Sequence, residues 1–350
     1  MTSLSRNDRS TLAVVIPAYN AEATLPDCLA ALARSERTPD EIILFDDGST
    51  DRTATIARAA GVRVVQAGPA QQGPAVGRNI GAASARCQTV VFVDADVAVH
   101  PDAISRLEAP LVSGEATATF GSYDDKPRSR RLAALYANLR HHWVHQHGRR
   151  EAFTFWSGLG AIHSRTFAAL NGFDPRFQHP SIEDIDLGIR LLERGEQIRL
   201  IRDALGTHCK DWGLIQLWKT DIFRRAIPWG RLMSEGRGRA DDLNIAKRER
   251  VSAVAANLVW MAALLAIWRP ALWLASALAT AGYLTLNAPF IAFLHRSAGV
   301  RAAIAGAILH WCYYIYASVT FALVALLSRA AAMRSRIMTA SAGRTHATRP

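Results

Sequence analysis

The chain has 350 residues, enough for one large or two ordinary domains, and half of them are hydrophobic. Its 41 Lys and Arg against 30 Asp and Glu give a net charge of +11. Much of the excess lies at 224–250 and 329–349, flanking apolar stretches, so anionic lipid headgroups explain it better than nucleic acid. The scattered Cys28, Cys87, Cys209 and Cys312 form no Cys-x-x-Cys pair, which speaks against a disulfide framework or a zinc site.

Residues 1–10 are polar, with no apolar signal core, so the domain that follows is expected to stay in the cytosol. From 11 to 235 the pattern is mixed and globular. Leu12 to Ile16 reads as a buried strand ended by Pro17, with Ala18-Tyr19-Asn20 as the loop beyond it. Thr24 can cap the next helix, which carries Pro26 in its first turn and Leu25, Leu29 and Leu32 at core spacing. Glu41 to Phe45 is a second strand. It runs into Asp46-Asp47-Gly48-Ser49-Thr50-Asp51, where Ser49 or Thr50 caps a helix that ends at Gly61. Val62 to Val65 is a third strand, and 73–81 is a glycine-containing loop entering a helix that carries Arg78.

Val90 to Val93 is a fourth, fully buried strand, and Asp94 and Asp96 stand where it ends. Two residues apart in extended chain, they point to one face and repel each other unless a cation lies between them. Oxygen ligands favour Mg²⁺ or Mn²⁺, which take their remaining ligands from phosphates and water. A pair of loop acids ahead of a helix started by Pro101 and Asp102 would read the same way. Position at the carboxyl end of a strand favours the metal–phosphate site. The alternation of strands and helices implies a mostly parallel sheet flanked by helices, with no G-x-G-x-x-G after the first strand.

Val14-Val15-Ile16-Pro17-Ala18-Tyr19-Asn20, Asp46 to Asp51, Val93-Asp94-Ala95-Asp96, Gly158-Leu159-Gly160-Ala161, Asn171-Gly172-Phe173-Asp174 and Glu183-Asp184-Ile185-Asp186-Leu187 follow in order. Together this set, over about residues 11–215, resembles the inverting family-2 glycosyltransferases of GT-A fold. The resemblance implies that Pro17, Tyr19, Asn20 and Glu22 border the base and ribose of a UDP- or GDP-sugar. It implies that Asp46 contacts the base with Asp47 assisting, and that Arg78 lies near the base or diphosphate. Asp94 and Asp96, with Ala95 between them, would hold the metal on the diphosphate, and His208 could complete the metal shell. Asp184 would be the catalytic base, with Glu183 beside it. Inverting transfer is a single displacement, so it needs one base and a cation at the leaving diphosphate. Ser181-Ile182-Glu183-Asp184 also matches a capping box, and a helix dipole there is expected to keep Asp184 ionised.

The basic segment 126–150 carries His141, His142, His145 and His147 and reads as a solvated face. Arg130, Arg131 and Arg140, with Trp212 and Trp229, form an expected set for an anionic lipid-linked acceptor such as a polyprenyl phosphate. Leu214 to Trp229 has the character of an interfacial amphipathic helix. The processive synthases of this family carry Gln-x-x-Arg-Trp near here. Arg225-Ala-Ile-Pro-Trp229 lacks that spacing, which favours transfer of one sugar.

A basic linker over 236–250 precedes a membrane domain over 251–328 of two or three spans, Val251–Trp268, Ala271–Leu294 and Ala302–Leu327. Arg269-Pro270 is too short for a loop and implies a hairpin. Basic flanks place the catalytic domain on the cytosolic side of a multi-pass protein, and a basic tail, 329–350, is expected to be irregular. The expectation is a metal-dependent transferase moving one sugar to a lipid or lipid-linked acceptor. The rivals are a sugar-nucleotide nucleotidyltransferase, which should show a Gly-rich loop after the first strand, and a non-catalytic membrane scaffold of the same fold.

Overall fold

Buried apolar strands alternate with helices of core-spaced Leu, Ile and Ala, and this produces two layers of helices around one sheet. The structure, a computed structural model, describes residues 10–66, 68, 70–237 and 247–346, with side chains to Met333. The expected tail at 1–10 and linker at 236–250 therefore lie largely outside the described residues.

The first half is β1 (Leu12–Ala18), α1 (Leu25–Ala33), β2 (Glu41–Asp46), α2 (Thr53–Ala59), β3 (Arg63–Gln66), α3 (Pro74–Ser84) and β4 (Thr89–Val93). β1 pairs in parallel with β2 and β4, and β2 with β3. The first strand runs one residue past Pro17, because Pro17 keeps its carbonyl while Asp47 N donates to Ala18 O at 2.9 Å. Thr24 makes no side-chain cap on α1, and the N-cap of α2 is Arg52, neither Ser49 nor Thr50, with Asp51 just ahead of it accepting from Thr53 N at 2.9 Å.

The second half is β5 (Val97–Val99), α4 (Ala103–Val112), β6 (Ala118–Tyr123), α5 (Leu132–His147), β7 (Leu159–His163), α6 (Ser164–Ala169), α7 (Glu183–Glu193) and β8 (Ile198–His208). The eight strands form one sheet in the order β3-β2-β1-β4-β7-β6-β8-β5. β7 pairs antiparallel with both β4 and β6, and β5 antiparallel with β8. The sheet is thus mixed: its first half is wholly parallel, and in the second half β6 pairs in parallel with β8 while β4–β7, β6–β7 and β5–β8 are antiparallel. The Gly158-Leu159-Gly160-Ala161 stretch is the start of β7, wedged between β4 and β6.

After the sheet come α8 (Leu214–Lys219), a π-helical segment (Thr220–Ala226), α9 (Ile227–Ser234), α10 (Lys247–Leu265) and α11 (Leu272–His346). α11 breaks at Gly299, where φ is +84° and ψ is 177°. Its two arms fold back on each other there: Tyr283 OH donates to Ala307 O at 3.1 Å, and the Phe290 and His310 rings lie 4.7 Å apart. Ser276 Oγ donates to Val259 O at 2.9 Å, so α10 also pairs back along α11. Leu272–Met333 is long and apolar enough to cross a membrane, and only 6% of its most apolar window is buried in the protein. Among the described residues it is the one helix that passes that test, against the two or three spans expected. The helix continues through His346, where an irregular tail was expected.

Candidate active site

The site forms where β4 ends. Val93 pairs with Leu159, and Asp94 N donates to Gly158 O at 3.1 Å, which pins the first acid against β7. The second acid is fixed by the opposite pairing: Val97 lies across from His208, and Cys209 N donates to Asp96 O at 2.8 Å. This register brings His208 Nε2 within 3.6 Å and Lys210 Nζ within 3.8 Å of Asp96 Oδ2. β8 runs from Ile198 to His208 through a register shift, and its far end delivers the histidine.

Arg78 joins the two halves of the site. It is 4% exposed. Its Nη2 lies 2.6 Å from Asp94 Oδ1 and its Nη1 lies 2.9 Å from Glu183 Oε1. Burial works against its charge, but Asp94 and Glu183 outweigh that and raise its pKa above the ordinary arginine value. Glu183 begins α7 and its Oε2 accepts from Ser181 N at 2.8 Å. The expected capping box does not form: Ile182 is the N-cap, and Ser181 Oγ donates instead to Arg224 O at 2.7 Å.

Asp184 accepts from Ile185 N at 2.8 Å and from Ser157 N at 3.4 Å. The helix N-terminus does not hold its pKa at the ordinary carboxylate value. Burial first, then the neighbouring Glu183 charge, raise its pKa to about 7, and Arg78 and two backbone N–H groups only partly offset them. Asp96 goes the other way. Burial would raise it, but His208 and Lys210 hold its carboxyl well below the usual range. Burial pushes Asp94 up, with Arg78 pulling it back and Asp96 adding to the rise.

Asp94, Asp96, Arg78, Glu183, Asp184 and His208 line one cavity of about 250 Å³, together with Arg140, Trp212 and Trp229. Asp46 does not line it. That carboxylate is 1% exposed and accepts from Ser49 N at 3.0 Å and Gln66 Nε2 at 2.7 Å. Asp47 accepts from Gln72 N at 2.7 Å and Gly73 N at 2.9 Å, and so fixes the entry to α3 rather than facing the cavity. Pro17, Tyr19, Asn20, Glu22 and Ala95 also lie outside its walls. Asn20, at φ +49°, and Glu22 tie the first loop to the second: Asn20 Oδ1 accepts from Thr50 N and Glu22 Oε2 from Arg52 N. Tyr19 is left 47% exposed beside them.

Arg130 and Arg131 are exposed and off the cavity, and Arg131 pairs with Asp211 at 3.3 Å. Arg140 is buried, pairs with Asp221 at 3.4 Å and covers the Tyr313 ring at 3.9 Å. The solvated-face reading of 126–150 fails for α5. His145 is 4% exposed and bonds to Gly121 O, and His141 faces the cavity beside Trp156. The arginines around them concealed that Asn138, His141 and His145 share one inward stripe at helical spacing. Sequence reasoning missed Asn138, Tyr123 and Lys210, although Lys210 stands only two residues beyond His208.

Asp94, Asp96 and His208 suit a hard divalent ion held by few protein ligands. Among the described residues no three His, Cys, Asp or Glu side chains form a ready metal cluster. Mg²⁺ and Mn²⁺ sites of this kind take the balance from phosphate and water.

Residues 13–171 match the family described as Glycosyl transferase family 2. Over those residues, somewhat under half of the chain, the protein is similar to glycosyl transferase family 2 domains. Glucosyl-3-phosphoglycerate synthase of Mycobacterium tuberculosis is 36% identical over 127 residues, 33% of this chain and 39% of that protein. Undecaprenyl-phosphate 4-deoxy-4-formamido-L-arabinose transferase of Pseudomonas paraeruginosa is 39% identical over 142 residues, 37% and 40% of the two chains. The chain thus spans about two fifths of the length of these relatives. The structure of the M. tuberculosis synthase with Mn²⁺, uridine diphosphate and glucosyl-3-phosphoglycerate is 26% identical. It covers 60% of this chain and 75% of its own, at a TM-score of 0.43.

Proposed function

We propose that the protein is a metal-dependent, inverting glycosyltransferase. It moves one sugar from a UDP- or GDP-sugar to a lipid or lipid-linked acceptor at the cytosolic face of a membrane. One observation carries this reading: Asp94, Asp96 and Asp184 face a single cavity whose far wall, Trp212 to Trp229, packs onto apolar α11. Trp229 and Leu232 meet Phe321, and Tyr136 OH bonds His310 at 3.0 Å, so an acceptor held in the bilayer has a short path to the site. The name of the arabinose transferase relative carries undecaprenyl phosphate, which supports an acceptor of that class. α10 and the two arms of α11 are the proposed spans.

Mg²⁺ or Mn²⁺ bound at Asp94, Asp96 and His208 would stabilise charge on the departing diphosphate. Arg78 holds Asp94 and Glu183 in fixed positions and brings a permanent positive charge to the same wall. Asp184, raised to about 7, takes the proton from the acceptor's nucleophilic oxygen, a glycolipid hydroxyl or the P–OH of a singly ionised lipid phosphate. Its low-polarity surroundings make the carboxylate basic enough for that, and the two backbone N–H donors aim it. Pro17, Tyr19, Asn20, Glu22, Asp46, Asp47 and Ala95 frame the nucleotide side, where Asp46 and Asp47 act by shaping the loops.

The test is a panel of radiolabelled nucleotide sugars on membranes containing the protein, with and without EDTA. Label should enter the organic phase, disappear on chelation and return with Mn²⁺. Transfer that survives full chelation removes the metal role, and label confined to water-soluble product removes the lipid acceptor. Asp184→Ala should abolish turnover and keep nucleotide binding; unchanged turnover removes Asp184 as the base, and an unchanged cellular phenotype favours the scaffold.

A further inference from the structure

Three residues that line the cavity each carry an enclosed polar atom with no hydrogen-bond partner: Arg78 Nε, Asn138 Nδ2 and His141 Nδ1. Two of them lie on α5, three residues apart, and so share a face. Asn138 is 1% exposed. An enclosed N–H donor with no acceptor is costly, and in a native site it marks a place where a ligand atom belongs.

Asn138 is tied to the candidate metal centre. Its Oδ1 accepts from His208 Nδ1, while His208 Nε2 lies 3.6 Å from Asp96 Oδ2. The Tyr123 ring is sandwiched between two histidines. It stacks on His208 at 4.3 Å and 15°, and meets His141 at 4.3 Å and 40°. His208, Tyr123 and His141 therefore form a pile leading away from Asp96 along the wall. Trp156 closes it, 4.6 Å from His141 and 4.8 Å from Tyr123. Burial, then His145 and Arg225, push the His141 pKa well below its ordinary value, so the ring is neutral, with one nitrogen donating and the other accepting. A neutral amide, a neutral imidazole and aromatic faces suit hydroxyl groups on an apolar ring. They do not suit a phosphate, which calls for Arg or Lys.

We propose that Asn138 Nδ2 and His141 Nδ1 form the subsite that reads the hydroxyls of the transferred sugar in the donor. The proposal rests on the donor reading above. With the diphosphate held at Asp96 and His208, the group bonded to it is the next to meet this wall, and in a nucleotide sugar that group is the sugar.

The test uses the full chain in detergent with Mn²⁺. Calorimetry gives the Kd of the donor picked out by the panel and of the matching free nucleoside diphosphate. The readout is the ratio of the two, which cancels any change in metal binding. His141→Phe keeps the ring pile and removes both nitrogens. Asn138→Ala removes the amide, and Asn138→Asp keeps an oxygen for His208 while removing the N–H donor. Each should reduce the preference for sugar over free diphosphate by about 3- to 10-fold, the range for one neutral hydrogen bond, with His141→Phe leaving diphosphate affinity within about 2-fold. An unchanged ratio in both His141→Phe and Asn138→Ala overturns the subsite. An unchanged ratio with a raised acceptor KM overturns the donor assignment and gives the wall to the acceptor. A wild-type protein that binds no nucleotide sugar overturns the donor reading beneath it, before any variant is made.

Discussion

Arg78 and Glu183, 105 residues apart in the chain, form a 2.9 Å ion pair in which each side chain is 5% exposed. Arg78 stands on α3, in the first half of the domain, and Glu183 opens α7, which carries the proposed base. The pair therefore fixes Asp184 relative to Asp94. Removing one partner of a buried pair leaves an uncompensated charge, at a cost of about 3–5 kcal/mol. Arg78→Met should lose stability on that scale in chemical denaturation. Adding Glu183→Gln should recover part of the loss, and additive effects in the double mutant would refute the coupling.

Asp184 sets a pH limb. A general base works only when ionised, so a carboxyl at about 7 makes turnover rise as pH climbs through neutrality and fall below it. Stability runs the other way. A carboxyl whose folded pKa is raised favours the folded state fully below its unfolded value of 3.8, and that contribution is lost as pH rises toward 7. Asp184→Asn should abolish the kinetic limb, lower turnover by about 10²- to 10⁴-fold, and flatten the pH dependence of the melting temperature between those values. A pH–rate profile with a limb near 4 contradicts the assignment.

Gly73 positions the loop ahead of α3. Its φ is +88°, and a Cβ there would lie 2.1 Å from the carbonyl oxygen of Gln178, in the segment leading into α7. Gly73→Ala should cost on the order of 2 kcal/mol, from the left-handed backbone and the displaced carbonyl together, read by thermal melting. Because the displaced segment leads to Asp184, turnover should fall more than nucleotide binding. An alanine variant with wild-type melting would show that the two segments move apart freely.

Ile215 and Phe223 are 68% and 64% exposed on α8 and the π-helical segment, beside Lys219 and Arg224. An exposed apolar strip with cations at its edge suits an anionic bilayer surface. Ile215→Ser with Phe223→Ser touches no core contact, so melting should be unchanged. The KM for a vesicle-embedded acceptor should rise several-fold, while the KM for the nucleotide sugar stays fixed. Equal changes in both would assign the strip to packing instead.

Local pattern was enough for the strands and helices of the first half, because each is a short apolar run punctuated by Pro, Gly or Asp. It placed Asp94 and Asp96 past the end of a strand, while Glu183 and Asp184 were singled out by the family resemblance; all four line the same cavity. It did not reach β5, an element of three residues, or the true length of β8, whose irregular register hides its alternation. The inward face of α5 was obscured because Arg140, Arg149 and Arg150 made the whole stretch look solvated, yet Arg140 is neutralised by Asp221 and buried.

Sequence by itself indicated the α/β class, the acids that follow β4 and open α7, and the apolar C-terminal region, because these depend on periodicity and residue type within short windows. Only the tertiary structure decided that β7 runs antiparallel between β4 and β6, that Arg78 bridges Asp94 to Glu183, and that burial raises Asp184 above the ordinary carboxylate value. It also decided that Asp46 and Asp47 are spent on loops, and that His208 meets both Asp96 and Asn138. The physical reason is that pairing register, burial and the charge felt by a carboxyl arise from residues far apart in the chain, and no local pattern encodes the distance between them.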